Sequence, residues 1–287
     1  MEMLKWTIGN ATITQITETE AGAVLQQLMT SITPKALAQM PALQPHFLDG
    51  DGNMKGWFQS FIIEVGDKTY FIEGGIGNER ERPHFPGMHN LKTNFLEQIK
   101  EAGFALTDID YVIASHLHID HVGWFTQLVD DQWQPTFPNA RYIIVQSEYD
   151  FWKDREANPD QMAAIRECVV PVVEADVVDF VAGDAKLNEH ISLVPAPGHT
   201  PSHVAIQLDT DSQRVLFSGD VFPHPSVIFD NELQFGSDAD PEQAVQTRRT
   251  MLKSLADTDT IMLSPHFANP VAVKIKTSEA GYTFELA

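Results

Sequence analysis

Apolar and polar residues alternate over residues 4–19, where Ile8, Ala11, Ile13 and Ile16 are set against Thr12, Thr14 and Thr17. A period of two predicts one or two half-buried strands. Phe58 to Val65 and Lys68 to Ile72 repeat that signal around Gly66-Asp67, a hairpin turn. Asn90 to Ala102 changes to helical spacing, with Leu91, Phe95, Ile99 and Ala102 on one face. Strands are then expected at Ile109 to Ala114 and Arg141 to Gln146, with a helix from Ser147 to Arg155 capped by Ser147. A helix from Asp160 to Glu174 is expected to be cut short by Pro171. Val177 to Val181, Ile191 to Pro195, Val204 to Leu208 and Arg214 to Ser218 read as strands. Asp240-Pro241 opens a helix running to Ala256, and Thr260 to Leu263, Ala272 to Lys276 and Tyr282 to Leu286 close the chain as strands.

Residues 20–56 fit neither period. Thr33-Pro34 opens a short helix toward Met40, and Asp49-Gly50-Asp51-Gly52-Asn53 is a turn cluster. The segment also carries Met29, Met40, Phe47 and Met54, with Trp57 just beyond it. It is expected to be an extended arm or flap that lines a substrate site or forms a subunit interface. The strands fall in two groups, each followed by helices, with no repeat and no linker. This predicts an α+β fold over residues 1–287, with two mixed sheets packed face to face and helices on the outer faces.

Composition narrows the classes. With 287 residues, 43% of them hydrophobic, the chain can bury a sizeable core. A formal net charge of -21 disfavours nucleic acid and anionic membrane surfaces as partners. The single cysteine, Cys168, excludes an internal disulfide and reads as a buried structural thiol. Met1 to Trp6 lacks a signal-peptide pattern, and no apolar run approaches the ~20 residues needed to span a bilayer. A cytoplasmic protein acting on a small molecule is expected.

The chemistry concentrates in Ser115-His116-Leu117-His118-Ile119-Asp120-His121, directly after an apolar strand. Side chains two apart on an extended chain point the same way, so His116 and His118 can converge on one ion. Asp120 and His121 follow where the strand ends and can aim at a second ion. Imidazole and carboxylate suit zinc, manganese, cobalt and iron. Three later ligand-type residues, His199, Asp220 and His266, each lie just past a predicted strand. Gly-x-Ser-x-Gly is absent around Ser202 and Ser218, which argues against a serine hydrolase of the elbow type. Gly75-Ile76-Gly77 is too little for a nucleotide fingerprint.

The run His116-x-His118-x-Asp120-His121, followed in order by His199, Asp220 and His266, resembles the metallo-β-lactamase-fold hydrolases from about Phe58 onward. That resemblance implies an αβ/βα sandwich holding two divalent ions, zinc first. His116, His118 and His199 would hold one ion, Asp120, His121 and His266 the other, and Asp220 would bridge them. Glu73 stands where the family often has an aspartate that supports the site from behind. Pro197 to His203, Asp150-Phe151-Trp152 and Phe222 to Val227 resemble the branch of lactonases and methyl-parathion-hydrolase-like enzymes. A tyrosine common in lactonases after the bridging aspartate is missing, and His224 is the candidate replacement donor.

A dinuclear site of this kind acidifies water and polarises a carbonyl, with Asp120 and Asp220 offsetting charge and directing the attack. Trp57, Phe85, Trp124, Trp152 and Phe222 are candidate pocket residues for an apolar group. The expected activity is therefore opening of a lactone or cleavage of a related ester. Organophosphate triesters and aryl esters are the alternative substrates. An iron oxidoreductase on the same fold and a non-catalytic metal binder are the competing classes. A homodimer built on residues 20–56 is the expected assembly if that segment is an interface.

Overall fold

The early alternation becomes two antiparallel strands, β1 (Lys5–Ile8) and β2 (Ala11–Glu20), with Thr7 facing Thr12. The computed structural model describes residues 3–29 and 31–287. Met1 and Glu2, part of the segment read for a signal peptide, lie outside them. The backbone divides into two units, Met1–Thr19 with Phe58–Gly183 and Glu20–Trp57 with Asp184–Ala287.

In the first unit, β3 (Trp57–Val65) and β4 (Lys68–Ile72) form the expected hairpin, with Gly66 at a φ of 63°. β5 (Tyr111–Ile113) lies parallel to β4. A small hairpin, β6 (Thr126–Val129) and β7 (Gln132–Pro135), stands apart as its own two-stranded sheet. β8 (Arg141–Val145) and β9 (Val178–Val181) complete a seven-stranded mixed sheet in the order β1-β2-β3-β4-β5-β8-β9. Because β4, β5 and β8 are mutually parallel, their C-terminal ends share one edge. That is where open α/β sheets carry their ligand sites. Phe71 packs against Phe95 and Phe137 in a core that also buries Phe125 and Tyr142.

In the second unit, six strands run β10 (Ile191–Pro195), β11 (Val204–Asp209), β12 (Arg214–Phe217), β13 (Ile261–Leu263), β14 (Val273–Ser278) and β15 (Gly281–Leu286), side by side in that order. β10 and β12 each pair antiparallel with β11, and β13 is parallel to β12. So β10, β12 and β13 also end at one edge. The helix Pro241–Leu255 starts as expected, with Asp240 accepting from the Gln243 N–H and proline at its first position.

The structure corrects several expectations. Residues 20–56 are not an extended arm. They form the helices Gly22–Leu28 and Pro34–Leu37 and bury Leu25, Met29, Leu37, Leu43, Phe47 and Met54 within the second unit. Phe47 meets Phe267 and Phe284 edge-on, with ring centres 5.8 and 5.5 Å apart. The helix expected from Asn90 begins at Phe95, so Leu91 lies outside it. The helix after β8 begins at Gln146, and Ser147 does not cap it.

Pro171 does not end its helix either. A π segment, Ile165–Val169, joins Pro159–Ala164 to Val170–Glu174, and the Val170 N–H bonds back to Ile165. Proline leaves the carbonyl four residues earlier without its usual donor. Here the Thr126 hydroxyl supplies one, donating to the Glu167 carbonyl at 2.7 Å.

Candidate metal centre

In the first unit the loop after β5 is tied to its neighbours at almost every residue. Glu73 follows β4 and accepts from His121 Nδ1 at 2.9 Å and from the Ser115 N–H at 3.3 Å with the same oxygen, Oε2. Glu148, in the helix after β8, accepts from the Leu117 N–H and the Trp152 indole N–H. Gln161 clasps the loop from the other side, donating to the Leu117 carbonyl and accepting from the Ile119 N–H. Gly74 permits the close approach, since a Cβ there would lie 2.7 Å from the His121 carbonyl. Within this cradle His116 Nε2 and His118 Nδ1 lie 2.9 Å apart, and Ser115 Oγ sits 3.0 Å from His116 Nδ1. The Asp120 carboxylate lies 3.7 Å from His121 Nε2.

In the second unit Asp220 is the centre. His199 Nε2 lies 3.2 Å from one of its oxygens and His266 Nε2 lies 3.0 Å from the other. The far nitrogens are anchored: His199 Nδ1 donates to Asp238 at 2.8 Å, and His266 Nδ1 donates to the Trp57 carbonyl at 3.2 Å. His203 Nε2 accepts the Asp220 N–H. Behind the loop, Arg248 is buried and donates to the carbonyls of Val221, Asn231 and Leu233. Gly198, at a φ of 132°, lets the His199 turn press against Gln243 and Ala244.

Two sets of candidates therefore form, His116, His118, Asp120 and His121 in one unit and His199, Asp220 and His266 in the other. In four of the five histidines Nδ1 faces a protein oxygen; in His121, His199 and His266 that oxygen can only accept, which leaves Nε2 to offer a lone pair, His116 faces the Ser115 hydroxyl, and His118 presents Nδ1 instead. A neutral imidazole with a free ring nitrogen is what a metal requires, and His121, His199 and His266 are held in that tautomer, so the donors fit a cation such as zinc.

His224 was the candidate donor in place of tyrosine, and the structure overturns that. Its Nε2 donates to the Phe47 carbonyl and its Nδ1 accepts from the Ser226 N–H. Burial pushes its pKa down to about 4, with the Phe47 hydrogen bond opposing. It is a neutral structural residue. Trp124 and Phe222 are likewise core rather than pocket. Trp124 stacks on Phe95 at 5.1 Å and donates to Glu18, and Phe222 is fully buried. Trp152 is buried with its ring edge-on to His118 at 5.4 Å, Phe85 is half-buried, and Trp57 lines a cavity.

Reading the sequence missed Asp238, Glu148 and Gln161. None has a ligand's spacing, although Asp238-x-Asp240-Pro241 does mark a helix start beside the His199 loop.

The model of the Metallo-beta-lactamase superfamily matches residues 59–266, and the chain belongs to that superfamily. Its fold is the α+β fold of that group, with mixed sheets and helices. More particularly, an N-acyl homoserine lactonase from Bacillus sp is 29% identical over 138 residues, 48% of each chain. N-acyl homoserine lactonase AttM from Rhizobium radiobacter is 30% identical over 133 residues, 42% of this chain and 44% of its own. The chain thus spans about half the length of the curated relatives it matches. Among solved structures, the hydrolase AbOPH of the beta lactamase superfamily gives a TM-score of 0.79 at 20% identity, covering 99% of this chain and 97% of its own. AidC, a dizinc quorum-quenching lactonase in complex with a product, gives 0.78 at 20% identity with the same coverage. These two likenesses are likenesses of fold.

Proposed function

We propose that the chain is a dinuclear metal-dependent hydrolase that opens a lactone or cleaves a related ester carrying an apolar group. The observation that carries this is the shared orientation of four of the five candidate histidines, His116, His121, His199 and His266, whose Nδ1 faces a protein oxygen on the far side. Histidines that ligate metals usually donate their other ring N–H to a carboxylate or carbonyl, which fixes the tautomer and the ring orientation. Membership of the superfamily and the lactonase relatives support the same reading.

His116, His118 and His199 would hold one ion, Asp120, His121 and His266 the other, and Asp220 would serve both. Zinc suits this donor set, and manganese, cobalt or iron would be accepted by the same atoms. Two such ions supply Lewis acidity, moving the pKa of water from ~15.7 toward ~7 and polarising the ester carbonyl. The protein supplies position. Asp220 presents one oxygen to each of two imidazoles, which keeps its carboxylate plane fixed. Asp120 and Asp220 would offset the cationic charge and orient the attacking water. Glu73 and Asp238 keep His121 and His199 in the ligating tautomer.

Proton release in weak buffer tests the reading, using protein loaded with two zinc ions and a medium-chain acyl lactone. Ring opening yields a carboxylic acid, so each turnover releases a proton. Release that chelator abolishes is the expected result. No release from fully loaded protein would remove lactones and move the search to aryl esters and phosphotriesters.

A further inference from the structure

Glu18 is a buried acid outside both sets of candidate ligands. It lies near the end of β2, and its carboxylate accepts three N–H groups: those of Ile76 and Gly77 at 2.7 and 2.9 Å, and the Trp124 indole at 2.8 Å. The first two donors belong to the loop after β4, which begins at Glu73. The third belongs to the turn that follows His121. The backbones of this loop and this turn are themselves paired. The Gly74 N–H donates to the His121 carbonyl and the Trp124 N–H to the Gly74 carbonyl, both at 2.6 Å, and the Gly123 N–H donates to the Gly75 carbonyl at 2.8 Å. Gly75, at a φ of 56°, passes so near that a Cβ there would collide with the Glu18 carboxylate. Glu18 therefore pins the loop carrying Glu73 to the turn leaving His121, and Glu73 in turn accepts from His121 Nδ1.

Burial raises the Glu18 carboxyl from 4.5 to about 7, opposed by the three N–H donors and, least of all, by the charge of Arg80. Arg80 faces it from beyond Gly77, with its own guanidinium donating to the Gly123 and Thr126 carbonyls. A neutral amide would be easier to bury, but an ionised acceptor holds N–H donors roughly twice as strongly. Resting on the two-ion reading above, we propose that Glu18 is a positioning residue of the metal centre: its ionised carboxylate locks the Glu73 loop to the His121 turn, and so sets the imidazole that joins Asp120 on one ion. The stretch carrying His116 and His118 is held separately, by Glu148 and Gln161 through the backbone of Leu117 and Ile119. Weakening Glu18 should therefore reach chiefly the ion at Asp120 and His121.

The test is a stepwise zinc titration of the full chain against a chromophoric chelator, comparing wild type with Glu18→Gln, which keeps the size and removes the charge. At pH 8 one of the two zinc dissociation constants should rise at least fivefold in the variant, while the other stays within about twofold. At pH 6 the gap should close to within about twofold, because the wild-type carboxyl is then mostly neutral too. Trp124→Phe keeps a ring to stack on Phe95 and removes the indole donor. It should weaken the same ion, and the double variant should be no weaker than Glu18→Gln alone, as expected of two residues sharing one contact. Hydrogen exchange of the metal-free chain should be faster at the Ile76 and Gly77 amides in Glu18→Gln. Zinc constants within twofold of wild type at pH 8 in both variants would overturn the proposal, as would a loss of equal size at pH 6 and pH 8. If the wild type takes up no zinc, the two-ion reading itself has failed. The exchange measurement then still decides whether Glu18 holds the loop, since unchanged protection at Ile76 and Gly77 would overturn that as well.

Discussion

His224 and Glu18 show how burial sets the protonation of single residues. His224 is neutral in the folded chain, with its pKa lowered from 6.5 to about 4. The unfolded chain binds the extra proton first, so this histidine's contribution is complete above pH 6.5 and is lost as pH falls toward 4. At ~1.4 kcal/mol per pH unit the loss amounts to about 3 kcal/mol. Glu18 acts in the opposite sense. Burial raises its carboxyl from 4.5 to about 7, against hydrogen bonds from the Ile76, Trp124 and Gly77 N–H groups. Its contribution is complete below pH 4.5 and is lost as pH rises through 7. The two therefore offset each other between pH 4.5 and 6.5. Denaturant unfolding across pH should show His224→Gln gaining stability on acidification relative to wild type, and Glu18→Gln losing it. Parallel curves for all three proteins would contradict the assignment. Asp238 is the other decisive residue. If it holds His199 for a metal, Asp238→Asn should weaken zinc binding about 10- to 100-fold by competition with a chromophoric chelator, while circular dichroism stays native.

At the scale of elements, the departures from the sequence pattern have local causes. The β6–β7 hairpin escaped notice because its turn is Asp130-Asp131 rather than a glycine-containing pair. Both residues take positive φ, 50° and 61°, as a type I′ turn requires. The helix across Pro171 survives because the π segment and Thr126 accommodate the missing N–H. Thr126 also accepts from Arg80 at 2.9 Å, so its hydroxyl joins three elements. Thr126→Val removes that hydroxyl at constant shape and leaves the part-buried Glu167 carbonyl without it. Unfolding by urea should show a loss of about 1–3 kcal/mol with an unchanged slope. A smaller loss would mean that the π segment closes without help.

For the whole molecule, the largest expected lever on stability is the metal. A ligand that binds only the folded state at a thousand times its Kd stabilises by about 4 kcal/mol. Thermal unfolding of zinc-loaded protein should fall by more than 5 °C on chelation and recover on adding zinc. An unchanged Tm would count against a resident metal. The charge of -21 offers a favourable field for the cation, and a screened one, so the effect should shrink modestly with salt. No helix among the described residues is long and apolar enough to cross a membrane.

Local rules determined much by themselves. The hairpin at Gly66-Asp67, the capped helix start at Asp240-Pro241 and the bounds of β10 follow from turn chemistry, capping and period. So do the candidate ligands, because a strand running into His116-x-His118-x-Asp120-His121 states its chemistry in consecutive residues. The tertiary structure decided what depends on partners far along the chain. It put Phe47 on His224, Glu73 on His121 and Asp238 on His199. It also turned an irregular segment at 20–56 into core. Neighbours in sequence interact through the backbone's own geometry, whereas a carboxylate 48 or 39 positions away meets its imidazole only after the strands have paired.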